Sequence, residues 1–569
     1  METTNLSKIR RNKMLNTINE IKKNITDEET LTNLSMIENE LTKKKYGLIW
    51  EEHEERVDKE LETQIPTFEE VKDKEIVSNP KDKFNFLLEG DNLHSLYLLE
   101  KTHKGLIDVI YIDPPYNTGN SFVYDDNIID STDSFKHSKW ISFMYKRLKI
   151  AYELLSENGK IFISIDDNEQ ANLKFICNEI FGEENFFAQI IVQSNKRGQT
   201  YKQIAKTHEY ILIYTKNVNV EFNEVKKTDD DNDLNLTDNL GKYNIRELRN
   251  RNPKFGKFNR PNLFYSFYVN SNIVDKDGFS PVSLTKGNGY DVEVIPLNSK
   301  KEESCWRWSQ KLSIKNIDFN TQNSNLVAKS KKDGNYNIYE KYRKNTYKAK
   351  TIWDEIEMIT EKGTVELGEH GLSKYFEFPK PIALIKKCLE LGTSENSTVL
   401  DFFAGSGTTA QAVLELNKED DGQRHFILCT NNENEICDKV TYKRILNTIN
   451  GYSTKKGINA NLKYYKCTYI PRINTENENL HNNLLVNIKN LIQLENGIEI
   501  DDNIIRVYLD EDELDKFSKN QSELDVCEKV YISSDILLTS MQESIFKNNN
   551  IEVYIIPEYY FEDEIMEVM

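Results

Sequence analysis

Short apolar runs alternate with amphipathic stretches over two parts of the chain. From residue 84 to residue 216 the apolar runs include FNFLLE, IDVIYI, KIFISI, FFAQIIV and HEYILIY, and helix-forming patterns such as NLHSLYLL lie between them. The alternation returns near residue 397 with STVLDFF, a helical stretch and RHFILC. Strands that alternate with helices predict a doubly wound, mostly parallel α/β sheet.

The remaining regions follow other patterns. Residues 1–80 carry amphipathic helical stripes and are predicted to form an N-terminal helical region. Residues 220–365 are rich in Asn, Lys and Tyr with poor periodicity, which predicts an inserted, separately folded domain. Residues 466–569 predict a small acidic C-terminal α/β module. The ranges 81–219 and 366–465 are then the two halves of one interrupted sheet.

Composition narrows the class of protein. The 569 residues include 38% hydrophobic residues and have a mean hydropathy of −0.64, which is typical of a foldable chain. No apolar run approaches the roughly 18 residues of a membrane span, and the first residues lack the apolar stretch of a secretion signal. The seven cysteines are widely spaced and never form CxxC. We therefore predict a cytoplasmic protein without a structural metal.

The net charge of −19 hides an uneven distribution. Residues 471–569 contain 22 acidic against 7 basic residues, whereas residues 241–350 contain 10 acidic against 22 basic residues. A basic middle region is suited to contact phosphates even in an acidic chain. The alternative is an ordinary solvated basic surface.

The segment DVIYIDPPY places chemistry at the end of an apolar strand. Two prolines restrict the backbone, so the Asp113 carboxylate and the Pro114 carbonyl are expected to face one pocket. There they can accept both hydrogens of an exocyclic amine and leave its lone pair free to attack an electrophilic carbon. Pro115 completes the corner, and Tyr116 offers a stacking face for a base. A tight turn without chemistry is the alternative.

The segment VLDFFAGSGTTA predicts a strand, a glycine turn and a helix. Gly405 and Gly407 permit a close approach of a ligand to the backbone, and the helix N-terminus presents free N–H groups. The phosphate-binding spacing GxxxxGK[ST] is absent. Residues 405–410 also fit the loose GxGxxA dinucleotide pattern, so a dinucleotide oxidoreductase is an alternative, although it leaves the two prolines without a purpose.

Together the two motifs resemble those of the S-adenosylmethionine-dependent amino-methyltransferases of DNA. The order, with DPPY before the glycine turn, resembles their circularly permuted β class. Further segments, LLEGDNLHSLYLL, IFISIDDNEQANLKFICNEIFGEENF, YFEFPKP and RHFILCTNNENEICDKVTYKRI, resemble the modification subunits of Type III restriction–modification systems. The resemblance implies a Rossmann-like fold, S-adenosylmethionine as cofactor and an inserted target-recognition domain.

The resemblance also implies roles for individual residues. The catalytic motif is Asp113, Pro114, Pro115 and Tyr116. Asp91 is expected to contact the adenine of the cofactor. One residue of 430–433 is expected to bind the ribose hydroxyls, and Glu433 is favoured chemically. The methionine end is expected to contact Phe378, Pro379, Lys380, Asp401, Phe402, Ala404, Gly405, Ser406, Gly407 and Thr408.

The basic middle region interleaves positive charge with aromatic residues, as in phosphate-contacting segments. A core for the inserted domain explains the aromatic residues equally well. The predicted DNA contacts are Arg249, Arg251, Lys254, Lys257, Arg260, Trp306 and Arg307.

The resemblance implies adenine N6 of double-stranded DNA as the target, because aspartate in the first DPPY position is typical of adenine enzymes. A homodimer and a separate restriction–translocase subunit are the implied partners. Three alternatives stay open: cytosine-N4 methylation, RNA amino methylation, and a specificity subunit that binds DNA without catalysis.

Overall fold

The computed structural model describes residues 6–23, 25, 27–42, 50, 54–118, 136–198, 203–227, 234–471 and 477–557. The chain forms two compact units. The first consists of Met1–Glu221 together with Thr351–Met569, and the second is Phe222–Lys350.

The described residues in the N-terminal part of the first unit form α-helices and strands. In chain order these are α1 (Leu6–Lys22), α2 (Glu28–Thr42), α3 (Arg56–Thr63), β1 (Gln64–Glu70), β2 (Phe84–Glu89), α4 (Asn92–His103), β3 (Ile107–Ile112), α5 (Lys136–Leu154), β4 (Leu155–Ile165), α6 (Gln170–Phe181), β5 (Phe186–Val192) and β6 (Glu209–Thr215).

The second unit is built almost entirely from short strands. They are β7 (Val225–Lys226), β8 (Leu236–Asp238), β9 (Gly241–Glu247), β10 (Phe267–Val269), β11 (Phe279–Ser280), β12 (Val282–Ser283), β13 (Val292–Val294), β14 (Leu326–Ser330), β15 (Tyr336–Tyr342) and β16 (Thr346–Tyr347), with one helix, α7 (Gln310–Lys315), between β13 and β14.

This unit has a hydrophobic core of its own, around Leu248, Phe267, Trp306 and Leu326. Its strands form a three-stranded sheet and a five-stranded sheet. Strands β7 and β16 pair antiparallel, so the first and last strands of the unit lie side by side. The chain therefore enters and leaves this unit at one place.

The C-terminal part completes the first unit. Its elements are β17 (Ile352–Trp353), α8 (Thr360–Glu369), α9 (Ile382–Gly392), β18 (Thr398–Asp401), α10 (Thr408–Asp420), β19 (His425–Thr430), α11 (Tyr442–Asn450), β20 (Gly451–Tyr452), β21 (Lys455–Lys456), β22 (Asn461–Pro471), α12 (Asn477–Asn496), β23 (Ile505–Tyr508), α13 (Glu511–Ser518), α14 (Gln521–Leu524), β24 (Lys529–Ser533), α15 (Ser540–Asn548) and β25 (Glu552–Ile556).

A ten-stranded sheet in the order β1-β22-β2-β19-β18-β3-β4-β6-β5-β17 runs through the first unit. Strands β22, β2, β19, β18, β3 and β4 are mutually parallel, and β6 and β1 run antiparallel to their neighbours. The predicted doubly wound, mostly parallel sheet is confirmed. It is assembled from both halves of the chain, and β3 lies next to β18.

The position of β3 beside β18 decides where a ligand can bind. From this pair the chain proceeds outward in both directions, to β4 on one side and to β19 on the other. At such a switch point the connections after the two strands diverge and leave a crevice at their carboxyl ends. The DPPY segment follows β3, and the glycine turn follows β18.

Three predicted boundaries need correction. The region 1–80 is not purely helical, because β1 joins the edge of the main sheet by pairing with β22. The inserted unit ends at Lys350, so the residues predicted for it up to 365 belong to the first unit. In the predicted C-terminal module, β22 belongs to the main sheet, and Asn490 of α12 donates to the Phe68 carbonyl of β1. Only β23–β25 and the helices α13–α15 build the separate small parallel sheet and its core.

Over the described ranges, no helix is both long enough and apolar enough to cross a membrane.

Candidate active site

The DPPY corner leaves the carboxyl end of the buried strand β3. The strand is apolar because it is covered on both faces, and the chain turns away at Asp113. The indole Nε1 of Trp140, on α5, donates a hydrogen bond of 2.7 Å to the Pro115 carbonyl. The ring of Tyr116 packs against the main core. The corner is thus held by its two prolines and by a buried donor on a neighbouring helix.

The glycine turn follows β18. Gly405 and Gly407 have φ angles of 47° and 76°, values that side chains disfavour. Gly407 is the N-cap of α10 and offers no side-chain cap. The Thr441 hydroxyl holds the turn by donating a hydrogen bond of 2.6 Å to the Gly405 carbonyl. The first turn of α10 thus has no side-chain cap, and its residues Thr408 and Thr409 line the cavity.

Both segments line one cavity of about 750 Å³. The predicted meeting of the DPPY corner and the glycine turn is confirmed. The predicted residues that line the cavity are Asp113, Pro114, Pro115, Tyr116, Phe378, Lys380, Asp401, Ala404, Gly405, Ser406 and Thr408.

Asp91 does not line this cavity, in contrast to the prediction. Its carboxylate caps α4 by accepting a hydrogen bond from Leu93 N at 2.7 Å, and it lies 3.4 Å from Arg147 Nη2. Its Oδ1 thus caps a helix and pairs with a buried arginine, and contact of Asp91 with the adenine of the cofactor stays a prediction.

Four further predicted cofactor residues lie outside the cavity lining. Phe402 is buried in the core, and Gly407 and Pro379 are neighbours in the chain of residues that line the cavity. Glu433 opens a short 3₁₀ turn beyond the end of β19, whereas Thr430 and Asn431 reach the cavity. Of the residues expected to bind the ribose, the structure thus brings Thr430 and Asn431 to the cavity but not Glu433, whose role stays a prediction.

Lys380 contacts the DPPY corner and Glu209. Its Nζ donates to Glu209 Oε2 at 2.7 Å and to the Tyr116 hydroxyl at 2.6 Å, and it lies 3.3 Å from Asp113 Oδ1. Lys380 therefore contacts the DPPY corner within the shared cavity, and its predicted contact with the methionine end of the cofactor stays a prediction. The pKa of Lys380 is raised: burial lowers it, but Asp113 and Glu209 more than offset that effect.

Glu209 was missed by the sequence-based interpretation. It begins β6, which runs antiparallel to β4, with Tyr210 paired to Ile165. The start of an antiparallel strand lies at the same edge as the carboxyl ends of its parallel neighbours. The acid in HEYILIYT was the available signal, but it becomes informative only once the direction of the strand is known.

The Asp113 side chain is partly buried, and its Oδ1 atom is fully buried. Burial raises its pKa above the usual value, Lys380 opposes this shift, and Glu209 adds to it. Its Oδ1 is buried and receives no hydrogen bond from the described part of the chain, because Lys380 Nζ lies within ion-pair range but does not meet hydrogen-bond geometry. Buried acceptors without a regular donor are uncommon in folded proteins, so Asp113 Oδ1 is a candidate acceptor for a ligand in this cavity.

Asp401 is a second buried acid at this edge. It accepts hydrogen bonds from Phe403 N at 3.0 Å and from the Thr409 hydroxyl. Burial raises its pKa to about 7 in spite of these donors, and the charge of Asp113 adds to the rise. The folded protein therefore holds a proton that the unfolded chain loses at lower pH.

This shift predicts a pH-dependent stability change in Asp401→Asn. Because the folded pKa lies above the unfolded value of about 3.9, stability falls as the pH rises through this window, and the loss is complete above pH 7. Asparagine keeps an acceptor without the charge. We expect the variant to gain on the order of 2–4 kcal/mol over the natural chain at pH 8 and little at pH 4.

The measurement is thermal or urea unfolding of both chains at the two pH values. Asp73→Asn, at an exposed carboxylate, is the control and should show no pH-dependent gain. An Asp401→Asn variant with the same relative stability at both pH values would contradict the assignment.

The predicted DNA contacts divide into two groups in the second unit. Arg251, Lys254, Lys257 and Arg260 are exposed along one loop. Phe258, whose exposed fraction is 75%, stands among them. These residues form an exposed surface of cations around one exposed ring, and their contact with DNA stays a prediction.

The other three predicted contacts comprise one buried residue, Trp306, and two partly exposed arginines that form ion pairs. Trp306 is 2% exposed and donates to the Tyr265 carbonyl, so the prediction of a DNA contact for it is wrong. Arg249 pairs with Glu247 and is mostly covered. Arg307 pairs with Glu340. The aromatic residue serves the core of the unit, the alternative that the sequence had left open.

Comparison with known proteins places the chain in a family. A family model described as DNA methylase, of the N6 and N4 methyltransferase type, matches residues 107–443. This range contains both the DPPY corner and the glycine turn, and it covers more than half of the chain.

Individual relatives agree with this match. The chain is 36% identical over 393 residues to the Type III restriction-modification enzyme EcoPI Mod subunit of Escherichia phage P1, with 62% of this chain and 58% of that protein covered. It is 36% identical over 361 residues to the Type II methyltransferase M.KpnI of Klebsiella pneumoniae, with 62% and 82% covered. The StyLTI Mod subunit of Salmonella typhimurium is 32% identical over 406 residues, with 66% and 57% covered.

The match therefore spans a little over half the length of the two Mod subunits and most of the Type II enzyme. It includes the sheet, the cavity and both motifs. The chain belongs to the DNA methylase family.

Proposed function

We propose that this protein transfers a methyl group from S-adenosylmethionine to the N6 amino group of adenine in duplex DNA. We also propose that it is the modification component of a Type III-like restriction–modification system. The observation that supports the reaction best is Asp113 Oδ1, a buried acceptor without a donor, in the cavity that the glycine turn shares. The Mod subunits among the relatives support the wider role.

The residues at the glycine turn fit S-adenosylmethionine. Gly405 and Gly407 place no side chain at the turn, and the N-terminus of α10 presents unpaired N–H groups. A zwitterionic amino-acid end suits such a turn, with Ser406 and Thr408 beside it. Thr430 and Asn431 line the cavity at the end of β19, where hydroxyl groups of a ribose would bind. When bound, S-adenosylmethionine supplies an electrophilic sulfonium methyl group.

The DPPY corner performs the chemistry of the amine. The Asp113 carboxylate and the Pro114 carbonyl accept its two hydrogens, so that the nitrogen lone pair is directed into the cavity rather than into the ring. Asp113 Oδ1 then accepts the proton that the methylated nitrogen releases. Tyr116 provides a ring face for the base, which leaves the DNA stack to reach this depth.

The exposed loop of the second unit is the proposed contact with DNA phosphates. Four cations on one surface segment give affinity without sequence information, because phosphates are the same along the duplex. Arg249 and Arg307 are proposed to shape the unit through their internal ion pairs rather than to touch DNA. The expected homodimer and restriction subunit stay predictions.

Methylation of DNA by the purified protein tests the proposal. Labelled S-adenosylmethionine, duplex DNA of mixed sequence and the protein are incubated together, and the product is digested to nucleosides. We expect the label in N6-methyldeoxyadenosine. Double-stranded RNA of the same sequence is the control and should remain unlabelled. Label in N4-methyldeoxycytidine, or in RNA alone, would overturn the proposed substrate.

A further inference from the structure

A buried pair of opposite charges reaches the DPPY corner from outside the motif. Lys380 precedes α9, and Glu209 begins β6. The side chains of both are 10% exposed, and their charged atoms are 2.7 Å apart. A buried pair of this kind is costly to desolvate, so its position in the candidate active site invites a functional explanation.

The Lys380 ammonium competes with any amine for Asp113. An ammonium beside a buried carboxylate normally donates to it, and such charge-assisted bonds are strong. Here the hydrogen bonds of Nζ go to Glu209 Oε2 and to the Tyr116 hydroxyl, whereas Asp113 Oδ1, at 3.3 Å, receives none. The Tyr116 hydroxyl in turn donates to Glu209 Oε2 at 3.2 Å. Glu209 is therefore the acceptor that orients both groups.

This arrangement separates two effects of the ammonium. Its charge remains close enough to favour the ionised form of Asp113, which burial disfavours. Two of its three protons are donated to Glu209 and Tyr116, so the hold of Lys380 on the Asp113 oxygen is weakened. Without Glu209, the nearest carboxylate for these protons is Asp113 itself.

We propose that Glu209 is a positioning residue that holds the Lys380 ammonium away from Asp113 Oδ1 and so reserves that oxygen for the amino group of the substrate. The inference rests on the proposed function, because the reserved acceptor matters only if an amine enters the cavity. Glu209 lines the same cavity, where its carboxylate accepts hydrogen bonds from Lys380 and Tyr116. It acts through Lys380 and Tyr116.

Other charged groups at this edge also enter the pH dependence. The charge of Asp401 lies close enough to interact with that of Asp113. Burial and the charge of Asp113 raise the pKa of the Tyr111 phenol. The remaining charged or titratable residues that line the cavity are Asp166, Lys206, His208 and Glu377. None of these changes in the variants below, so a shift between variants reports on Glu209 and Lys380.

Single-turnover methylation tests the proposal with Glu209→Gln, Lys380→Met and the double variant, each at saturating S-adenosylmethionine and DNA. We expect Glu209→Gln to slow the methyl-transfer step by at least about tenfold, because Lys380 then donates to Asp113. Binding of S-adenosylmethionine should change by less than about threefold. Glu209→Asp, which keeps the charge, should recover part of the rate, and Glu183→Gln, at an exposed glutamate, should retain all of it.

Two further results are specific to the proposed role. The acidic limb of the pH–rate profile should move to lower pH in Glu209→Gln, because one negative neighbour of Asp113 is gone, and to higher pH in Lys380→Met. The double variant should be no slower than Lys380→Met alone, because Glu209 then has no ammonium to hold.

The proposal is overturned if Glu209→Gln transfers methyl groups at the natural rate, or if the double variant multiplies the two losses. It is also overturned if the acidic limb does not move. Should Glu209→Gln fold poorly, Glu209→Asp and the double variant carry the same comparison. A natural chain that transfers no methyl group to DNA would instead refute the proposed function, and the two failures are thereby distinguished.

Discussion

Asp113→Ala is expected to abolish methyl transfer while the variant still binds S-adenosylmethionine. The change removes the charged acceptor at the point where the amine becomes nucleophilic. Loss of one positioned electrostatic group of this kind costs on the order of 10²–10³ in rate, and here the same oxygen also receives the released proton. We therefore expect a fall of at least about 10³ in the single-turnover rate.

The measurement combines transfer of labelled methyl groups with calorimetry of cofactor binding. Asp354→Ala, at an exposed aspartate that does not line the cavity, is the matched control and should behave as the natural chain. Folding should not suffer, because removal of Asp113 relieves a carboxylate whose burial raises its pKa. Turnover close to the natural rate would refute the role of Asp113.

Gly407→Val is expected to have the opposite signature, loss of S-adenosylmethionine binding in a folded chain. Gly407 has a φ angle of 76°, and a Cβ there would lie 3.1 Å from Thr441 Cγ2 and 3.4 Å from the Thr441 carbonyl oxygen. A β-branched residue in this region of φ is strained and pushes the turn away from Thr441. We expect the dissociation constant of the cofactor to rise by at least about 100-fold, equivalent to roughly 3 kcal/mol.

The control Gly105→Val separates the effect of backbone strain from the effect of the contact with Thr441. Gly105 has a φ angle of 71°, and a Cβ there would meet nothing within 4 Å. Both variants should lose similar stability from the backbone, but Gly105→Val should keep its affinity for the cofactor. Calorimetry of both variants checks this, with Gly407→Ala as a milder substitution if the valine variant unfolds. Equal affinities in the two valine variants would show that the turn does not hold the cofactor.

The central sheet and the meeting of the two motifs were predictable from the sequence. The strands β2, β3, β18 and β19 are continuous apolar runs because both faces of the sheet are covered, and such runs stand out in a polar chain. Each motif follows such a strand. Because ligands bind at the carboxyl ends of parallel strands, Asp113 and Gly405 were predicted to lie at one site.

The contacts around Lys380 were not predictable in the same way. They depend on the direction of β6, which a strand pattern does not contain, and direction decides whether Glu209 lies at the cavity or at the opposite edge. The prediction that Trp306 contacts DNA was wrong for a different reason. A tryptophan between charged residues has the same sequence pattern whether its ring faces a core or a groove, and only the packing around Phe267 distinguishes the two.

The pairing of β7 with β16 has an evolutionary consequence. Lys227 N donates to the Asn345 carbonyl at 2.8 Å, so the two strands at the base of the second unit are joined directly. The pairing of β7 with β16 closes the inserted segment within the second unit. The length of this segment therefore has little effect on the stability of the first unit. Under the proposed role of the second unit in DNA recognition, recombination at this strand pair would exchange that unit, and with it the target sequence, while the residues of the DPPY corner and the glycine turn stay unchanged.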